Sequence, residues 1–460
     1  MHITFLDRFE ARPGRILQWT PSEISTGSTY PVPPTSNQQL HLAGSRGETT
    51  WLAATFDVPG PIDTDALRAS FEEWTSRHDA LSCSFSQAEV PGESSALFVD
   101  VADIGDLRLR EETVADARTP EQVRELLGER LDRWCNPFAF PAYFLGAITR
   151  DDQSTVICGF DHAICDGWSM SIAITEISTL YREYTRAERV PIASDLLPEP
   201  GSFLNYCFRE SATADPDPGD HRIAGWRSFL RSCGGDTPHF PVDLGLPAGT
   251  MSPQGTDTRM LLDADEAELF DQNCADHRHS PFGAILASIG LATTQLTGKR
   301  DTHLLFPVHT RREPRHNHTF GWLVANAPIT VTSMDNLHST ARAVNLAFHE
   351  SLSLSSVSSR QVLRSLGPEV SPTRRDIFSV SYADYRTMPG GSRPRKSESR
   401  ESQPAPINPQ QLSRVSNADD VQFWFSRTHD GLALRTRFPA PAARTVHTFL
   451  ASVSEILSAP

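Results

Sequence analysis

The chain has 460 residues, 38% of them hydrophobic and 22% charged, with a formal net charge of −15. That length predicts two or three domains with sizeable cores, and the acidic balance argues against non-specific nucleic-acid binding, which needs clustered Lys and Arg on phosphates. No stretch approaches the ~20 apolar residues of a membrane span, and Met1-His-Ile-Thr-Phe-Leu-Asp-Arg8 has no basic region ahead of an apolar run, so no signal peptide is expected.

Residues 1–50 are rich in Pro, Ser, Thr and Gly and read as an extended lead-in. Trp51 to Val58 predicts a strand, and Asp63 is placed to cap a helix that carries Leu67, Phe71, Trp74 and His78 on one face. Short strands follow at Leu81–Phe85, Ala96–Val101 and Leu107–Arg110. Thr119-Pro-Glu-Gln122 has a capping-box pattern with Pro at the first helical position and opens a helix to about Asp132. Strands at Tyr143–Thr149 and Thr155–Phe160 precede a long helix from Trp168 to Tyr184.

Pro, Asp and Gly cluster over 191–220 around a short helix at Ser202–Glu210, and this stretch is expected to be a linker between an N-terminal lobe, 1–190, and a C-terminal lobe, 221–460. In the second lobe, helices are expected at Arg222–Cys233, Glu266–His277, Pro281–Leu296 and Thr340–Leu352. Strands are expected at Thr258–Leu262, His303–Val308, Ala327–Thr332 and Asp376–Ala383. Pro389–Pro409 reads as a loop; a hairpin (Val421–Ser426, Ala433–Arg437) and a helix (Ala442–Leu457) end the chain. Strands and helices mix without a strict βαβ rhythm, which points to mixed sheets of α+β character rather than a doubly wound fold.

The segment Asp161-His-Ala-Ile-Cys-Asp-Gly-Trp168 stands between a buried strand and a helix. A histidine there, His162, is placed to act as a base near neutral pH. Asp166 can cap the following helix or pair with a distant cation, and Gly167 allows close backbone approach. A bland reading, a satisfied histidine and a simple cap, explains the same spacing without chemistry. The seven cysteines, Cys83, Cys135, Cys158, Cys165, Cys207, Cys233 and Cys274, include no C-x-x-C pair, so neither zinc nor a disulfide framework is expected. They suit a reducing cytoplasm. A nucleophilic Cys165 beside His162 competes with the inert buried thiol. No phosphate-cradling glycine loop or metal-binding His/Cys/Asp set is present.

Together with Glu176 and Leu180-Tyr-Arg-Glu-Tyr184, this segment resembles the active-site region of the condensation-domain superfamily, whose signature is H-H-x-x-x-D-G. That superfamily includes nonribosomal-peptide condensation domains, free-standing condensation enzymes and polyketide-associated acyltransferases. Asp63–Ala69, Arg77–Phe85, Pro307–Arg311 with Gly321–Val324, Ser381–Arg386 with Pro389-Gly390, and Trp424–Arg427 are similar to its other motifs in the same order, so the resemblance runs from about residue 50 to the C-terminus. It implies two chloramphenicol-acetyltransferase-like lobes with a tunnel between them, and acyl transfer to an alcohol or amine in natural-product, antibiotic-type secondary metabolism. The donor would be a carrier-protein phosphopantetheine or CoA thioester, with no bound cofactor and no metal; the partners would be an acyl or peptidyl carrier protein and a small acceptor, not nucleic acid or membrane. By the same resemblance His162 is the catalytic base, and Asp166 pairs with an Arg of the second lobe. Arg311, ten residues before Gly321, takes that role, with Arg312 as the fallback.

Asp161 stands where the signature has its first histidine, and a carboxylate there is expected to raise the His162 pKa. Asp161, Trp168, Trp322, Asn326, Ser381 and Tyr382 are candidates to line the tunnel, with core packing the alternative for the two Trp and strand packing for Ser381 and Tyr382. Two other readings remain at this point: a catalytically inactive module of the same fold that recruits carrier proteins, for which Asp161 is the motive, and a cyclase variant.

Overall fold

The computed structural model describes residues 1–23, 28–30, 33–44, 49–88, 96–105, 107–186, 193–217, 219–389 and 407–458. The first elements are strands β1 (His2–Phe5), β2 (Gly14–Pro21) and β3 (Ser28–Tyr30), helix α1 (Ser36–Gly44), β4 (Trp51–Pro59) and α2 (Thr64–Arg77). Next come β5 (Cys83–Ala88), β6 (Ala96–Val101), β7 (Leu109–Ala117), α3 (Pro120–Trp134), β8 (Tyr143–Thr149), β9 (Gln153–Asp161), α4 (Gly167–Tyr184), α5 (Ala193–Leu196) and α6 (Phe203–Ser211). The chain continues through α7 (His221–Ser232), β10 (Ser252–Leu262), α8 (Ala264–Asp276), α9 (Pro281–Thr297), β11 (Asp301–His309), β12 (Val324–Thr332), α10 (Leu337–Leu354) and α11 (Ser359–Leu366). It closes with β13 (Ser379–Asp384), β14 (Ile407–Ser413), β15 (Asn417–Ala418), β16 (Gln422–Thr428), β17 (Gly431–Pro439) and α12 (Ala443–Ser458).

Contacts divide the chain into two compact units: 1–213 with 311–323 and 386–415, and 214–310 with 324–385 and 416–460. This departs from the linear division at 1–190, 191–220 and 221–460, because two late segments pack into the first unit. Nor is 191–220 a linker throughout: Ser202 caps α6, which buries Phe203 and Cys207 one helical turn apart in the first unit's core. Arg311 belongs to the first unit by these contacts, not to the second as expected.

The first unit is built on a sheet of order β1-β14-β4-β9-β8-β2-β7, parallel only between β1 and β14. Its central strands are buried on both faces, so their apolar residues run without a polar alternation. Leu52, Ala54, Phe56 and Val58 of β4, with Val156, Cys158 and Phe160 of β9, pack beneath α2 and α4. The intervening Trp51, Ala53 and Ile157 face α3, where they meet Val123, Leu127 and Leu131. Helices α2 and α4 thereby hold the end of β9, and with it the motif, on a rigid layer. Strands β3, β6 and β5 form a separate small sheet.

The second unit has a sheet of order β12-β11-β13-β16-β17-β10-β15, with β13 parallel to both β11 and β16 and the other pairs antiparallel. Ile285, Leu286 and Ile289 of α9 and Val446, Phe449 and Val453 of α12 cover its apolar residues. Both units combine a mixed sheet with packed helices, the α+β class expected.

Three local expectations are corrected. Residues 1–50 hold β1, β2, β3 and α1 rather than an extended lead-in; Ile16, Leu17 and Trp19 of β2 are core residues that the Pro/Ser/Thr background concealed. Leu81 and Ser82 belong to a 3-10 turn, and the strand starts at Cys83. Of the loop expected at Pro389–Pro409, residues 390–406 lie outside the described residues, while Ile407 onward is β14, paired with β4 around an irregularity between Ile407 and Gln410 that contains Pro409. Among the described residues no helix is long and apolar enough to cross a membrane.

Candidate active site

Strand β9 ends at Asp161, which faces Trp51 of β4 across the ladder. The chain then makes a 3-10 turn, His162–Ile164, because Asp161 Oδ1 accepts the Ala163 N–H at 2.8 Å. The His162 N–H donates to Thr50 O at 2.7 Å. Gln38 of α1 donates through Nε2 to Ala163 O at 2.7 Å. Asp166 starts α4: its Oδ1 accepts both the N–H and the hydroxyl of Ser169 at 2.9 Å, and its own N–H completes a capping box. The turn carrying His162 is thus tied to β4, α1 and α4, which fixes the ring's place before any ligand arrives.

Asp166 is fully engaged. Arg311 Nη1 donates to Oδ2 at 2.7 Å and Nη2 to Oδ1 at 3.0 Å, a two-pronged, charge-assisted pair, and Leu323 N–H adds a third contact at 3.1 Å. Arg311 also donates to the carbonyls of Thr319, Gly321 and Leu323. Both side chains are buried. Burial raises the Asp166 pKa, but the Arg311 charge and the Arg311 and Ser169 hydrogen bonds outweigh it and hold the carboxyl below its ordinary 3.8. Gly321 closes this knot at φ +153, and a Cβ there would lie 2.3 Å from the Phe203 ring, so no larger residue fits.

His162 is half-buried. Its ring lies 4.4 Å from Trp322 between centroids at 51°, and 5.9 Å from His41. Burial first, then His41, lower the His162 pKa below its ordinary 6.5; Asp161 and Asp166 pull it up and lose. The expectation that Asp161 would raise it is therefore corrected: the attraction exists, but desolvation of the ring is larger. Asp161 Oδ2, His162 Nδ1 and Arg311 Nε are among the buried atoms without a hydrogen-bond partner in the described residues. Cys165 is fully buried, and burial, followed by Asp166 and Asp161, pushes its thiol well above its ordinary 9.0. It cannot serve as a thiolate nucleophile.

Asp161, His162, Asp166, Gly167, Trp168, Arg311 and Trp322 all lie in the first unit and come together here. Trp168 donates Nε1–H to Asn317 O at 3.0 Å, and the Arg311 guanidinium stands 5.5 Å from its ring. Arg312 is exposed and takes no part in the Asp166 pair. Asn326 on β12, opposite Pro307, and Ser381 and Tyr382 on β13, opposite Trp424 and Phe425, sit in the second unit. Tyr382 stacks on Phe282 at 5.8 Å. Sequence reasoning missed His41 and Gln38, whose three-residue spacing in Gln38-Gln-Leu-His41 is the helical signal that would have found them.

A Condensation domain model matches residues 32–413, and the chain belongs to that family. Trehalose-2-sulfate acyltransferase PapA2 of Mycobacterium tuberculosis is 26% identical over 99% of this chain and 96% of its own length. Acyltransferase PapA3 of the same organism is 24% identical over 84% of this chain and 81% of its length. The solved structure of the PapA2 acyl transferase superposes with a TM-score of 0.85 at 23% identity, covering 99% of both chains. The condensation domain of the Monacolin K polyketide synthase MokA gives 0.71 at 15% identity, covering 94% and 97%. The protein is a condensation-type acyltransferase.

Proposed function

We propose that this enzyme transfers an acyl group directly from a carrier-protein or CoA thioester to a hydroxyl of a small acceptor, in the assembly of an acylated natural product. His162 takes the acceptor's proton as its oxygen attacks the thioester carbonyl; the carbon–sulfur bond breaks, and the imidazolium returns the proton to the departing thiolate. The single observation that carries this reading is a half-buried imidazole held by a turn whose caps and ion pair are already satisfied. A neutral ring at working pH can accept a proton. An alcohol is favoured over an amine because the relative PapA2 is named for trehalose-2-sulfate, whose nucleophiles are hydroxyls. All seven cysteines are unpaired, in keeping with a reducing compartment such as the cytoplasm.

The test is a mass-spectrometric assay of an acyl-CoA, and of the same acyl group on a carrier protein, against sugar alcohols and matched amines. Ester and free thiol should form one-to-one with the protein at its unmodified mass. An acylated enzyme that releases ester on adding acceptor would overturn direct attack. The pH profile gives a second check. Since the His162 pKa is lowered from 6.5, the acidic limb of kcat/KM should be centred below that value. An acidic limb centred above 6.5 would contradict the assignment.

A further inference from the structure

Helix α1 sets Gln38 and His41 three residues apart, hence on one face. Gln38 is 1% exposed, and its hydrogen bond to Ala163 O pins that face against the turn bearing His162. His41 follows with it. Its Nε2 lies 3.7 Å from Asp161 Oδ1, and its ring meets the Trp322 ring edge-on at 5.5 Å. Asp161 has no exposed surface: Oδ1 already accepts the Ala163 N–H, and Oδ2 is buried without a hydrogen-bond partner among the described residues. A buried carboxylate so poorly satisfied calls for a cation beside it. The Arg311 guanidinium is already committed to Asp166. The groups whose charges act on His162 are Asp161 from β9, Asp166 from the head of α4 and His41 from α1; Trp322 is uncharged.

We propose that His41 is a positioning residue of this site: it holds a proton against Asp161, neutralising that carboxylate and keeping the neighbouring His162 ring uncharged and ready to accept the acceptor's proton. The inference rests on the base reading of His162. A protonated His41, 3.7 Å from Asp161 Oδ1 as an ion pair and not a hydrogen bond, puts a positive ring 5.9 Å from His162, and that charge opposes a second one. The ranking of influences on His162 agrees, with His41 second only to burial and ahead of Asp161. The pull of Asp161 on a proton at His162 is thereby weakened.

The experiment follows the His162 ring by NMR in full-length protein carrying carbon-13-labelled histidine, with its resonance assigned from His162→Gln. In His41→Gln the His162 titration midpoint should move up, and the acidic limb of kcat/KM should move up with it. In His41→Lys, which restores a cation, both should return toward wild type. A packing role predicts no such difference between the two variants. An unchanged midpoint in His41→Gln, or a His41→Lys variant that behaves like His41→Gln, overturns the proposal. If His41→Gln fails to fold, His41→Asn takes its place in the same comparison. The midpoint needs no turnover, so it judges His41 even if His162→Ala proves active, in which case the base reading alone falls.

Discussion

Replacing His162 by alanine should lower kcat/KM by about 10²–10⁴-fold, the usual contribution of a positioned general base. The melting temperature should stay near that of the wild type. The ring is half-buried, and the contacts that shape its turn run through other atoms: the His162 backbone N–H, the Asp161 carboxylate, the Gln38 amide and the Ser169 capping box. None of these is deleted with the imidazole. Steady-state rates and a thermal melt on the same preparation decide the matter. His162→Gln, which keeps much of the ring's volume against Trp322, should be as slow as alanine, because lost packing would be partly restored and lost basicity would not. Full activity in either variant refutes the base.

Arg311→Ala should act on the fold itself. It strips the cation from a buried carboxylate and removes donors from three buried carbonyls, so about 3–5 kcal/mol of stability should be lost. Arg311→Lys should recover only part of this, since an ammonium cannot reproduce the two-pronged geometry. Urea or guanidinium unfolding measures both. The pH dependence has a definite sign. The Asp166 pKa is depressed in the folded chain, so the contribution of the pair is complete above the ordinary carboxylate value of 3.8 and is lost as pH falls through the depressed one. In Arg311→Ala the burial that raises the Asp166 pKa is no longer opposed by the guanidinium, so the deficit relative to wild type should be largest near neutral pH and shrink as pH falls through the raised carboxyl pKa of the variant. A variant of wild-type stability at pH 7 would show that the pair contributes nothing net.

The site was partly legible in the chain. The apolar run before Asp161, the capping Asp166 and the helical period after it are local signals, and each reappears as β9, the N-cap and α4. Arg311 was reached through its ten-residue spacing from Gly321 within a familiar pattern; the two-pronged contact is its geometric counterpart. His41 was not reached. Its helix is nine residues long in a Pro/Ser/Thr-rich stretch, and its contacts with Asp161, His162 and Trp322 lie about 120 and about 280 residues away in the chain. Likewise β14 sits beside β4 although more than 300 residues separate them. Local composition gave no hint of either.

The strands and helices from β4 to α4, their apolar faces and the cap at Asp166 are written in the sequence, because period, propensity and capping act over a few residues. Which carboxylate meets which cation was settled only by tertiary structure. Asp161 and Asp166 look alike in the chain, yet Asp166 accepts a guanidinium, while Asp161 has an unsatisfied Oδ2 and lies with its Oδ1 3.7 Å from an imidazole of α1. The balance that leaves His162 less basic than a free histidine arises from burial and through-space charge, neither of which is written in spacing.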